Sequence, residues 1–264
     1  MSRFAIFAKT MRDHRRGIVS WGIGITVLVL VMSLMWPSVR DMPDLKRFLA
    51  NYPEALRKVF KIDTFSTPAG YLNAELFSLI LPAVFLVFAI GRGARLIAGE
   101  EEDHTLDVLL CTASSRSRVL VEKAAALVVT VLALGAILFG AMLLASWSIG
   151  MHLAIADVAR GTIALTALSI EFGLVALAVG AVTGRRSTAI GVATLIAAAA
   201  FVLYLLGQLV SAVAPWRGLS PFTQALDAGP VGPEWSLGIV TLVVTSAILP
   251  ALTLPWFNRR DIRS

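Results

Sequence analysis

Acidic side chains are scarce in this chain, and two placements of them could do chemistry. Glu100, Glu101, Glu102 and Asp103 form one uninterrupted run. Glu171 stands alone inside a long apolar stretch. Paired carboxylates do acid–base or metal chemistry only beside suitable partners, such as histidines at helical spacing. His14, His104 and His152 lie far apart, and no pair has the spacing of zinc ligands. The pair Glu101–Glu102 therefore has no histidine to work with, and no metal site is assigned. A single cysteine, Cys111, forms no intrachain disulfide and reads most simply as a small buried residue. The phosphate-binding pattern G-x-x-x-x-G-K-[ST] is absent, and so is the G-x-S-G turn of an intramembrane serine protease. No catalytic residue is assigned.

Composition dictates the elements that must position these acids. Hydrophobic residues make up 57% of the 264 residues and charged ones 15%, against about 25% charged in a soluble domain. The mean hydropathy is +0.80. These values exclude intrinsic disorder, a disulfide scaffold and an ordinary soluble enzyme. Crossing roughly 30 Å of hydrocarbon takes about 20 apolar residues at 1.5 Å each. Six stretches serve, at about 18–36, 74–91, 119–147, 162–183, 188–213 and 237–257. They read as helices, because a barrel would alternate in hydropathy and turn about every 10 residues. The predicted fold is an all-α integral membrane protein, with residues 1–264 forming a single transmembrane domain. The first stretch is expected to be a retained helix. It is long for a signal peptide, and no small-x-small cleavage site follows Trp36.

The net charge of +6 would suggest nucleic acid in a soluble protein. Here it reports topology, because cationic loops stay on the cytoplasmic side. With the N-terminus inside, 15 of the 23 cations fall inside and 8 outside. The inner ones include Arg12, Arg16, Arg92, Arg95, Arg116, Lys123, Arg185 and Arg186. Both termini are accordingly expected in the cytoplasm, and no nucleic-acid partner is expected.

Two segments between spans are too long to be plain connections. In the outer one, Pro37 to Gly70, apolar residues from Leu45 to Phe60 recur at helical spacing among cations, and Pro53 divides them. This pattern predicts amphipathic outer helices, lying on the membrane surface or packed as a small lid. In the inner one, residues 92–118, Leu106, Leu109 and Leu110 form one apolar stripe of a short helix. The acids before it suit the positive end of its dipole, and Ser114 or Ser115 can cap the third span. The stripe needs the bilayer, the rest of the chain or a partner to rest on.

This inner segment reads Gly99-Glu100-Glu101-Glu102, then Thr105-Leu106-Asp107-x-Leu109-Leu110, then Ser115-Arg116, with Lys123 a little further on. It resembles the cytoplasmic coupling segment of type-2 ABC exporter permeases. Tyr52-Pro53-Glu54-Ala55-Leu56 and Gly70-Tyr71-Leu72-Asn73 resemble that family's actinobacterial members. The resemblance covers nearly the whole chain. His104 and Ala113 depart from it, standing where the family commonly has Gly and Pro.

The resemblance implies a permease half that pairs with a second permease subunit, as a homodimer or heterodimer, and with two copies of an ATP-binding subunit. Glu100, Glu101, Glu102, Thr105, Leu106, Asp107, Leu109, Leu110 and Arg116 would couple to that ATPase. ATP and magnesium would be held by the ATPase, with no cofactor in this chain. The setting implied is a bacterial plasma membrane, and the cargo a drug, antibiotic or lipid-like compound. An ion-coupled secondary transporter would usually show paired intramembrane acids or inverted repeats, whereas Glu171 is single. A non-transporting membrane scaffold is the third reading.

An ionised Glu171 at mid-span costs roughly 2.5–3.5 kcal/mol, so it should face the interior or a wet cavity. It is a candidate translocation-pathway residue or a structural acid between helices. Gly135, Gly140, Gly173, Gly180, Gly184 and Gly191 are expected to allow close helix approach. Pro82, Pro250 and Pro255 should kink their helices. The six tryptophans mostly flank spans and read as interfacial belt residues.

Overall fold

The computed structural model describes residues 5–42, 53, 57, 64–105, 115–227, 229–232, 234–235 and 237–259. Among them the fold is all-helical. In chain order come α1 (Ala5–Leu34), α2 (Trp36–Arg40), α3 (Pro68–Glu102), α4 (Arg116–Ile149), α5 (Ile155–Thr183), α6 (Arg186–Leu209), α7 (Pro221–Leu226) and α8 (Gly238–Arg259). A 3₁₀ turn, Ala214–Leu219, precedes α7. Six helical stretches are long and apolar enough to cross a membrane: α1 with α2, α3, α4, α5, α6 and α8. The outer helices expected between Leu45 and Phe60 lie outside the described residues apart from Pro53 and Arg57, where Arg57 N donates to Pro53 O at 3.1 Å. The short helix expected over Leu106 to Leu110 also lies outside the described residues.

The long helices alternate in direction. One end of the bundle, the Glu100 end, gathers the start of α1, the end of α3, the starts of α4 and α6 and the end of α8. The end of α5 lies there too, and the Trp36 end gathers the remaining termini. Helix α5 is the centre and packs against α3, α4, α6 and α8. In its most apolar stretch 67% of residues are buried, against 17% in α8, so α8 is peripheral. One core joins α1, α3 and α4 around Ile25, Phe77, Phe85 and Leu134. A second joins α3, α5, α6, α7 and α8 around Ile90, Phe172, Ala193, Phe222 and Leu242. The outward faces of α1, α6 and α8 carry exposed Ile23, Leu195, Val243 and Leu252. Apolar faces of this extent are what lipid covers.

Helix ends differ from the spans read off hydropathy. Helix α1 starts at Ala5, well before the first apolar stretch, because Thr10 and His14 bury against the bundle. Helix α3 continues past Ile90 to Glu102, so residues 92–102 of the segment expected to couple are helical. Leu96, Ile97 and Ala98 are buried there, which keeps the chain in the bundle. Helix α6 stops at Leu209 rather than Val213. Ser115 caps α4, its hydroxyl accepting from Arg118 N at 3.3 Å. Gly184 ends α5 at φ 65°, a left-handed turn that lets α6 begin two residues later. Gly184 is thus a cap, not a packing residue.

Other glycines do allow close approach. A Cβ on Gly135 would meet Thr166 Oγ1 at 2.3 Å, and one on Gly180 would meet Ala98 at 3.3 Å. Gly140 and Gly191 have nothing within 4 Å. The tightest crossing, α3 over α5, uses Gly93, where a Cβ would meet Gly173 O at 2.0 Å. Pro82 opens the regular α-helical part of α3, directly after a π-helical stretch, Asn73–Ile80. The register change there accommodates its missing N–H. Trp36 is buried on Tyr71, not at an interface, and Trp21 packs on Phe88. Trp147, Trp216, Trp235 and Trp256 remain exposed.

Gly93→Ala should lower stability by about 1–3 kcal/mol through overpacking, whereas Gly191→Ala should leave it unchanged within about 0.5 kcal/mol. Thermal unfolding of the two variants in one detergent measures the difference.

Candidate functional site

At the Glu100 end the chain must satisfy backbone groups that have no partner within their own helix. The end of α3 shows how. Its last turns are π-helical over Arg95–Gly99 and close with Glu100–Glu102. Lys123, two turns into α4, points into this region with 1% of its side chain exposed. Its ammonium donates to Leu96 O at 2.5 Å and to the Glu100 carboxylate. A buried ammonium is tolerable only when paired and hydrogen-bonded, and here it is both. Lys123, counted among the inner cations, is buried. It is the pin that holds α3 to α4. The signal for it was present, since it stands in an otherwise apolar stretch.

Other acids at this end are also engaged, while Asp103 is exposed. Glu102 Oε1 accepts from Arg186 N at 2.9 Å. Arg186 begins α6, and its preceding residue offers no side-chain cap. Glu102 thus caps α6 from another helix, where a carboxylate also meets the positive end of the dipole. Glu101 is buried. Glu122, on α4, accepts from Phe7 N at 3.0 Å and from Arg118 Nε at 2.7 Å, so it caps the start of α1. Arg116 donates towards Phe257 O and Asn258 O at 3.4 and 3.5 Å, at the negative end of α8. Asn258 Nδ2 donates to Ser117 Oγ at 3.1 Å beside it. Spacing gave no sign of the roles of Glu122 and Arg186, because their partners are remote in sequence.

Thr105 closes the turn after α3, with its N and Oγ1 donating to Glu100 O at 2.9 and 3.1 Å. His104 adopts φ 53°, the left-handed region. A side chain there is strained, where glycine would not be. Of the residues expected to couple, Glu100, Glu101, Glu102, Thr105 and Arg116 are described and lie at this end. Leu106, Asp107, Leu109 and Leu110 lie outside the described residues. Nearby, His14 Nδ1 is buried 2.9 Å from Thr130 Oγ1. The Arg92 guanidinium lies 5.5 Å from the Phe88 ring centre and crosses α1 at Gly17.

The Trp36 end is fastened by neutral bonds and by Arg160, whose Nε donates to Gly232 O at 2.7 Å and whose guanidinium pairs with Asp157. Val231 N donates to Asn73 Oδ1 at 2.9 Å, and Asn73 Nδ2 donates back to Val231 O at 3.0 Å. Tyr71 OH donates to Met32 O at 2.9 Å. A Cβ on Gly70 would meet Thr64 O at 1.9 Å. The stretch Gly70 to Asn73 therefore packs and clamps.

Between α4, α5 and α8 lies a groove of 630 Å³ walled by Leu132, Phe139, Ile163, Ile170 and Val243. Thr162 and Thr166 line it, but their hydroxyls donate to Val158 O and Thr162 O of their own helix. Glu171 is not in this wall. It lies at the α5–α8 seam, where Thr245 Oγ1 donates to its Oε1 at 3.0 Å. Its Oε2 is buried without a protein partner.

Fold and helix-end chemistry define a multi-pass membrane protein whose polar contacts concentrate at the ends of its spans. Residues 6–258 match the family described as "Multidrug efflux system permease Rv1217c, C-terminal domain". The chain belongs to this family, a family of membrane permeases of efflux systems. No curated protein matches it.

Lys123→Met should cost about 3 kcal/mol by leaving Glu100 and Leu96 O without their partner. The double variant Lys123→Met/Glu100→Gln should recover much of this, which a double-mutant cycle on thermal unfolding reads. His104→Gly should raise stability by about 1 kcal/mol by relieving the left-handed strain.

Proposed function

We propose that this permease is the membrane-spanning subunit of an ATP-driven ABC exporter. Two copies of a separate ATP-binding subunit hold ATP and magnesium and hydrolyse the nucleotide. A second permease subunit completes the pathway. The proposed setting is a bacterial plasma membrane with both termini cytoplasmic, supported by the split of 15 cations to 8. The Glu100 end is then cytoplasmic. The family name supports efflux of drug-like compounds, and an antibiotic or lipid-like cargo is the proposed alternative.

One observation carries the coupling role: Glu100 and Glu102 tie the end of α3 to α4 and α6, directly before the 106–114 segment. A push on that segment reaches the end of α3 and the start of α4. Lys123 ties these two together, and the push passes to α6 through its capped start. In this proposal Leu106, Leu109 and Leu110 dock on the ATPase, with Asp107 and Thr105 shaping the approach. Glu100, Glu101, Glu102 and Arg116 carry the movement inward. The chain itself has no G-x-x-x-x-G-K-[ST] loop to hold nucleotide phosphates.

Co-expression with the candidate ATP-binding subunit tests this. The two should co-purify, and Leu106→Asp/Leu109→Asp should abolish capture. Lys123→Met should keep capture while uncoupling ATP hydrolysis from transport. Transport by the purified chain alone on a proton gradient would overturn the proposal. Glu171 is proposed to face the pathway. Glu171→Gln should lower transport by roughly tenfold or more at unchanged expression, the effect of removing a buried ionisable contact. Unchanged transport would make Glu171 a structural acid.

A further inference from the structure

Helix α1 carries an exposed stripe along its whole length. Lys9, Arg12 and Arg16 are exposed and recur at helical spacing. The same line continues through Val19, Ile23, Val27, Val31 and Leu34, each at least half exposed. None of the three cations forms an ion pair with a described residue. Asp13 is the one acid of α1 and lies exposed at the edge of the stripe, with Arg15 exposed at the other edge. The apolar part, Val19 to Leu34, rises about 22 Å, most of the roughly 30 Å hydrocarbon layer. The cations therefore stand at headgroup depth, directly below an acyl-chain track on the same helix face.

We propose that this stripe is a binding site for an anionic phospholipid of the adjoining leaflet. Its acyl chain lies along Val19, Ile23 and Val27, and its phosphate is held by Lys9, Arg12 and Arg16. Guanidinium groups match phosphate oxygens in a two-pronged geometry, and an ammonium adds a point charge. Charge decides against a second copy of this chain on the same face. A two-fold axis along the membrane normal would set Lys9, Arg12 and Arg16 opposite their own counterparts. It decides for anionic over zwitterionic lipid, because the stripe has three cations and a single acid at its edge.

The test uses the full chain in mixed phosphatidylcholine–phosphatidylglycerol vesicles, extracted into detergent, with retained lipids quantified by mass spectrometry. Retained lipid should be enriched in phosphatidylglycerol over the vesicle composition. Lys9→Gln/Arg12→Gln/Arg16→Gln should reduce that enrichment by roughly fivefold. The charge-conserving Lys9→Arg/Arg12→Lys/Arg16→Lys should keep it, and so should Arg40→Gln at the opposite end. Arg12→Gln alone, a single exposed change, should give a smaller loss and serves if the triple variant does not fold. Undiminished enrichment in the glutamine variants would overturn the proposal. So would an equal loss in Arg40→Gln, or efficient dimer cross-linking through Ile23→Cys in the membrane.

Discussion

A helix end in or beside a bilayer exposes backbone N–H or C=O groups where little water is present to satisfy them. In this permease the Glu100 end meets that demand with charged side chains borrowed from neighbouring helices. Glu122 of α4 caps α1, and Glu102 of α3 caps α6. Lys123 of α4 takes a carbonyl of α3, and Arg116 of α4 reaches the carbonyls of α8. Each sign is the one the helix dipole favours: carboxylates at starts, cations at ends. Removing any one of these groups leaves both a backbone group and its own partner without a bond. The spans are therefore held in register by their termini as well as by their cores.

The middle of the bundle follows a different rule. No hydrophobic force separates one apolar helix from lipid there, so close packing must bind them. Gly93 against Gly173 and Gly135 against Thr166 let backbones approach α5 from two sides. Between α4, α5 and α8 the 630 Å³ groove opens. The exposed apolar faces of α1, α6 and α8 leave the lipid or a partner subunit to cover the remainder.

The motif residues were legible for reasons the structure makes physical. Gly70, Tyr71 and Asn73 each close a contact at the Trp36 end. The departure at His104 falls on a backbone angle that glycine would take without strain. Lys123 was visible as a charge early in an apolar stretch, but its place among the inner cations gave no sign of its burial. Trp36 was misplaced for a related reason. Tryptophan at a span's end is equally suited to an interface or, as here, to packing on a tyrosine.

Sequence alone determined six membrane helices, because hydropathy over some 20 residues is a local property that no later contact reverses. It also placed the acidic run and the lone Glu171, because composition makes rare charges conspicuous. Only the tertiary structure decided which charges meet. Glu102 and Arg186 lie 84 residues apart, and Phe7 and Glu122 lie 115 apart. Their meeting depends on how antiparallel helices stack and where each one stops. A run that reads in sequence as acids offered to a partner is, in the folded chain, largely committed to its own helix ends. The physical reason is that an orphan N–H or a buried ammonium close by draws a carboxylate more strongly than water does in a low-dielectric setting.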